Sequence, residues 1–121
     1  MGADLVYGGQ SGGINEAYSD IVGECFEFYL RGSNDWMAGA DMVKEEGAAL
    51  RYLYHPPLSN SIDDYSDFYE GMNVHFSSGV YTKAAYILRT EHEWSMRQLF
   101  VVFSTANLFY WTADSRFDEV L

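Results

Sequence analysis

A chain of 121 residues, 48% hydrophobic and 17% aromatic, is long and apolar enough to pack the core of one domain, which excludes a disordered tail. Seven Lys plus Arg against eighteen Asp plus Glu leave a formal net charge of -11, which repels phosphate backbones and anionic membranes, so neither nucleic acid nor membrane is an expected partner. The single cysteine, Cys25, permits no internal disulfide or cysteine-rich metal site, no signal-peptide pattern opens the chain, and no apolar run approaches membrane length.

In chain order, the glycine-rich run Gly8–Gly13 predicts a flexible entry, followed by a helix from Ile14 to Leu30. Its apolar positions Ile14, Ala17, Tyr18, Ile21, Cys25, Phe28 and Tyr29 keep the three-and-four spacing that buries one helix face. Arg31-Gly32-Ser33-Asn34 ends it with a cation and then a glycine stop. From Asp35 to Asn73 the pattern is irregular, and Pro56-Pro57 and Asn60–Asp67 suit turns or short helical pieces. Ser77 or Ser78 is placed to cap a second helix to Arg89, with Val80, Ala84, Ile87 and Leu88 inward. A third helix is expected from Ser95 to Tyr110, with Leu99, Phe103, Ala106 and Tyr110 in register. Leu99–Phe103 alone would also suit a buried strand, but the periodicity continues beyond it. Ser115–Leu121 opens like a capped helix and stops within two turns, so it either docks on the body or begins something longer. The chain reads as mainly α with long irregular loops.

The first helix carries the chemistry. At ~100° per residue, Glu16, Asp20, Glu24 and Glu27 fall within roughly 80° of one another. Stacked like charges repel by roughly 0.2–0.5 kcal/mol per pair on an exposed helix, so a compensating positive group is expected. Two readings stay open: a solvated acidic face, or an oxygen-rich site for a hard cation such as calcium, completed by Asp35 folding back on Glu24 and Glu27.

Two separated segments carry a resemblance. GGINEAYSD (Gly12–Asp20) and VHFSSG (Val74–Gly79) are similar to the G-x-x-N-E-A-x-S-D and V-H-x-x-S-G segments of the thermolysin-family zinc metalloproteases, the bacterial neutral proteases and elastases. Tyr7, Leu50-Arg51 and Tyr110-Trp111-Thr112 also fall where that family has counterparts. The resemblance covers nearly the whole chain and implies a single partial domain over residues 1–121, a helical subdomain of a thermolysin-like peptidase truncated at both ends.

It also implies roles. Glu16 resembles the carboxylate ligand of a catalytic zinc held by two His and one Glu with one position left for water. Asp20 resembles the acid that orients a zinc-bound histidine. Tyr7 and His75 look like donors to the oxyanion, a contribution of about 2.7–4 kcal/mol per donor in other enzymes. Arg51 looks like the residue that grips a substrate backbone carbonyl, while Glu24, Glu27, Asp35 and the Met37 carbonyl fall on an elastase-like calcium site. His55 and His92 match no motif and read as ordinary polar residues.

Two departures qualify the likeness. The family's H-E-x-x-H, which supplies two zinc ligands and the general base, is absent from these 121 residues; after His92-Glu93, position 96 is Met96. Asn73 stands where elastase-like members place an aspartate that orients the histidine.

The complete enzyme would be a secreted zinc endopeptidase cleaving peptide or protein substrates, whereas this chain alone is expected to be inactive. Zinc would belong to the complete enzyme only, and calcium to this chain. The alternatives are a non-catalytic pseudoenzyme or calcium-binding module that keeps the fold, or a fragment that self-associates or associates with the missing part of the domain.

Overall fold

The computed structural model describes residues 9–39 and 48–109. Tyr7, Tyr110, Trp111 and the Ser115–Leu121 run lie outside the described residues.

Helix α1 (Gly9–Arg31) is the central rod. It begins earlier than the sequence pattern suggests: Gln10, Ser11, Gly12 and Gly13 are helical and buried, not a flexible entry. Tertiary packing there outweighs the ~1 kcal/mol that each helical glycine costs relative to alanine. At the other end Gly32 adopts φ 76°, and its N–H donates to the Phe28 carbonyl at 2.7 Å, closing the helix as anticipated. Ile14, Ala17, Ile21 and Cys25 are buried, and Tyr18 and Phe28 pack against them. Tyr29, expected inward, is 83% exposed, because it continues the spacing past the point where neighbouring elements cover α1.

The irregular stretch that follows contains an antiparallel pair that the sequence pattern did not announce. Strand β1 (Met37–Ala38) pairs with β2 (Arg51–Tyr52) in the register Met37↔Tyr52 and Ala38↔Arg51. Pro56–Ser59 and Tyr65–Asp67 form single 3-10 turns, in keeping with the expected short helical pieces.

Helix α2 (Val74–Ser77) is one turn, capped by the Asn73 side chain. Helix α3 (Gly79–Thr90) follows directly. Ser78 holds its N-cap position, as one of the two expected serines, but without a side-chain cap bond: the Ser77 and Ser78 hydroxyls donate back to the Val74 and His75 carbonyls at 3.3 and 3.0 Å. At Gly79 an added Cβ would meet the Ile62 carbonyl oxygen and Pro56, so glycine allows the 56–62 loop to lie against the helix start. The buried side chains of α3 are Tyr81, Thr82 and Ala85, while Val80, Ala84, Ile87 and Leu88, expected inward, are only partly buried. Apolar residues surround this helix, so its pattern left the inward face undecided. The choice falls to the fit of Tyr81 edge-on against Phe103, ring centroids 5.2 Å apart.

Helix α4 (Met96–Phe109) starts with a reciprocal cap: the Ser95 hydroxyl accepts the Gln98 N–H at 3.0 Å, and Gln98 accepts the Ser95 N–H at 2.8 Å. Leu99 and Phe103 are buried and Ala106 packs beside them, as the periodicity requires. Cys25 on α1 donates to the Met96 carbonyl and Tyr18 to the Ser104 hydroxyl, so α1 and α4 run antiparallel. The core therefore sits where α1, α3 and α4 meet, closed by Trp36 and Leu53, which flank the paired strands. No helix among the described residues is long and apolar enough to cross a membrane.

Candidate active site

The acidic stripe of α1 is not solvated: Asp20 and Glu24 are buried, and Glu16 and Glu27 are half-buried. Each of the four meets a partner from a later element. Arg51, carried over α1 by β2, donates through Nε to Asp20 Oδ2 at 2.7 Å and through Nη2 to Asp20 Oδ1 at 2.9 Å. This bidentate fork holds the guanidinium firmly charged, chiefly through its hydrogen bond to Asp20, with the charge of Glu16 adding to the effect. Sequence reasoning placed Asp20 and Arg51 in separate roles and missed their pairing. The available signal was that a helix acid facing the body needs a cation.

One turn before Asp20, Glu16 Oε2 lies 3.2 Å from His75 Nδ1. The contact depends on α2, whose cap Asn73 accepts the His75 backbone N–H at 2.8 Å. The resemblance sets Asn73 where an aspartate would orient the imidazole. Instead Asn73 serves the backbone, and the ring's Nδ1 faces Glu16. Glu16, Asp20, Arg51 and His75 thus converge on one face of α1, whereas His55 and His92 are exposed away from any motif, as expected.

A second constellation lies further along the same stripe. Carboxylate oxygens of Glu24, Glu27 and Asp35 all lie within 4.8 Å of one another. Glu24 Oε1 accepts from Asn34 Nδ2 at 2.8 Å and from the Trp36 N–H at 2.6 Å, and Glu27 Oε2 accepts the Asp35 N–H at 2.9 Å. Met37 N–H donates to Asp35 Oδ1 at 2.9 Å. Trp36, with φ 57°, holds a backbone conformation rare for a non-glycine residue; its N–H on Glu24 and its buried indole, edge-on to Tyr86 at 5.4 Å, fix it there. Burial pushes the Glu24 carboxyl up to about 7, against the two hydrogen bonds that lower it, and the neighbouring Glu27 and Asp35 charges push it further up. Three converging oxygens with a desolvated negative charge suit a hard divalent cation. Asn34 had not been singled out in the sequence.

Residues 3–121 match the family model described as the thermolysin metallopeptidase α-helical domain. The chain belongs to that family. It is 53% identical over 116 residues to the neutral protease of Vibrio proteolyticus, covering 95% of this chain and 19% of that protein. It is 49% identical over 116 residues to a zinc metalloprotease of Helicobacter pylori, covering 95% of this chain and 44% of that protein. Among solved structures, the precursor of protealysin from Serratia proteamaculans superposes with a TM-score of 0.80 at 21% identity, covering 98% of this chain and 44% of that one. The chain thus spans less than half the length of these relatives and has the mainly helical fold of the thermolysin helical domain, as its sequence motifs implied.

For a thermolysin helical domain, the described residues provide one carboxylate, Glu16, in the position the resemblance gives to a zinc ligand. They contain no second cluster of three metal-ligating side chains beside Glu24, Glu27 and Asp35. One carboxylate is fewer than the three protein ligands that hold a catalytic zinc, so the described residues fit zinc at Glu16 only as a single contributed ligand.

Proposed function

We propose that this domain contributes one wall of the active site of a secreted zinc endopeptidase, with Glu16 as the single zinc ligand it supplies. The observation that carries the reading is the convergence of Glu16, His75 and the Asp20–Arg51 pair on one face of α1. Zinc, when bound, supplies a polarised carbonyl and an activated water.

The chain's own residues do the rest of the positioning. Asp20 uses both oxygens on Arg51 yet keeps further lone pairs, so it retains capacity to accept the N–H of a zinc-bound histidine. Arg51 spends Nε and one Nη2 proton on Asp20, and its remaining N–H groups are available to a peptide carbonyl. His75, half exposed beside Glu16, offers its ring N–H to the developing oxyanion together with Tyr7. Glu24, Glu27 and Asp35, with the Met37 carbonyl, hold calcium and tie the 34–37 turn to α1. A second reading, a calcium-binding module that performs no chemistry, rests on the Glu24, Glu27 and Asp35 cluster.

A chimera in which this domain replaces its counterpart in the Vibrio neutral protease separates the two. Casein hydrolysis is expected in the chimera. Glu16→Gln should remove both activity and bound zinc, while His75→Ala should lower kcat by ~10²–10³ with zinc retained. An inactive chimera that binds zinc normally favours the calcium module, and retention of zinc and activity by Glu16→Gln refutes the ligand assignment.

A further inference from the structure

Trp36 reaches three elements at once. Its N–H donates to the buried Glu24 of α1 at 2.6 Å, its carbonyl accepts the Leu53 N–H just past β2 at 2.8 Å, and its buried indole stands edge-on to Tyr86 of α3. It does so at φ 57°, a backbone conformation that a tryptophan holds only where its surroundings impose it. Burial of an indole does not by itself call for a left-handed main chain. What that main chain adds is an N–H and a carbonyl that are both engaged, one by α1 and the other by the residue after Tyr52.

Strand β2 depends on this anchor. β1 and β2 are two residues each, too short to hold their register unaided. Arg51 lies between two main-chain bonds across the pair, from the Leu50 N–H to the Ala38 carbonyl at 2.9 Å and from the Leu53 N–H to the Trp36 carbonyl. We propose that Trp36 is the positioning residue of Arg51. Its left-handed main chain, held by Glu24 and by the packing of its indole on Tyr86, sets where β2 crosses α1, and so where the guanidinium presents the N–H groups that Asp20 leaves over. Glu24 and Asp20 stand one turn apart on α1, about 6 Å, so a rotation at residue 36 reaches the Asp20–Arg51 fork with little dilution. A row of rings braces the same strand: Trp36, Tyr86, Tyr54 and Tyr52 follow one another at centroid spacings of 5.4, 6.4 and 6.0 Å, ending on the residue next to Arg51. The catalytic consequence rests on Arg51 being the group that grips a substrate carbonyl; the structural one does not.

Two measurements, both in saturating calcium, test it. In the full chain, Trp36→Gly keeps the left-handed conformation accessible but removes the indole that locks it. NMR is expected to show exchange of the Arg51 Nε–H faster by about 10-fold relative to the amides of residues 99–103, with Trp36→Phe restoring the native rate. Tyr86→Leu, a milder change that withdraws the ring edge and keeps apolar volume, is expected to act in the same direction and serves if Trp36→Gly does not fold. In the chimera with the Vibrio neutral protease, Trp36→Gly is expected to lower kcat/KM for a peptide by ~10–100-fold with bound zinc unchanged. In an Arg51→Ala background it should cost nothing further, because both changes act through one guanidinium. Exchange that rises equally at Arg51 and over residues 99–103, or losses that add in the double variant, would make Trp36 a core residue only and overturn the proposal. Unchanged kcat/KM in Arg51→Ala alone would instead overturn the carbonyl-gripping role, and the exchange measurement would still decide the positioning.

Discussion

Replacing Glu24 by glutamine removes one charge and almost no volume. The amide oxygen of the glutamine can still accept from Asn34 and from the Trp36 N–H. In the native chain, with no cation bound, burial raises the Glu24 carboxyl from 4.5 to about 7. Between those two values the folded state holds a proton that the unfolded chain has already released, so stability falls as pH rises through the window. The contribution is fully present below about pH 4.5 and lost above about pH 7. At ~1.4 kcal/mol per pH unit the gap amounts to on the order of 3 kcal/mol, and water penetration reduces it. In chelator, Glu24→Gln should therefore match the native chain at pH 4.5 and exceed it at pH 8 by about 1–3 kcal/mol, several degrees in Tm. Calcium should reverse the order at pH 8, raising the Tm of the native chain and not of the variant, since ligand bound only to the folded state stabilises it by mass action. Thermal denaturation at the two pH values, with chelator and with calcium, reads all four combinations. A variant destabilised equally at both pH values would mean that Glu24 acts only as a hydrogen-bond acceptor, and the electrostatic reasoning would fail.

Other substitutions test the frame around the site. Asp20→Asn, which strands the Arg51 guanidinium against a neutral amide, should cost about 2 kcal/mol in denaturant titrations. Gly79→Ala forces a methyl against the Ile62 carbonyl and should destabilise by about 1–3 kcal/mol, although alanine is the better helix former. Phe103→Ala empties the centre of the core facing Tyr81 and should cost about 3–5 kcal/mol by the same titration. Ser95→Ala breaks one half of the α4 capping box and should cost ~1 kcal/mol, visible as faster exchange in the first turn of that helix.

Local pattern determined much of this protein. The spacing of Ile14, Ala17, Ile21 and Cys25 is enough to define α1 and its buried face, Gly32 its end, and Leu99 and Phe103 the buried side of α4, because a helix repeats every 3.6 residues and an apolar stripe must go inward. The stacking of four carboxylates along α1 was equally legible, since helical geometry fixes which residues share a side. What met them was not. Arg51 reaches Asp20 across thirty-one residues, His75 reaches Glu16 from a separate one-turn helix, and Trp36 turns its N–H onto Glu24 through a backbone conformation that no local propensity favours. The inward face of α3 and the helical state of Gln10–Gly13 were likewise settled by packing, which exceeds the fraction of a kcal/mol per residue that propensity contributes. The sequence could place acids on one side of a helix; only the tertiary structure, by removing water from that side, decided which cations and donors must stand opposite them.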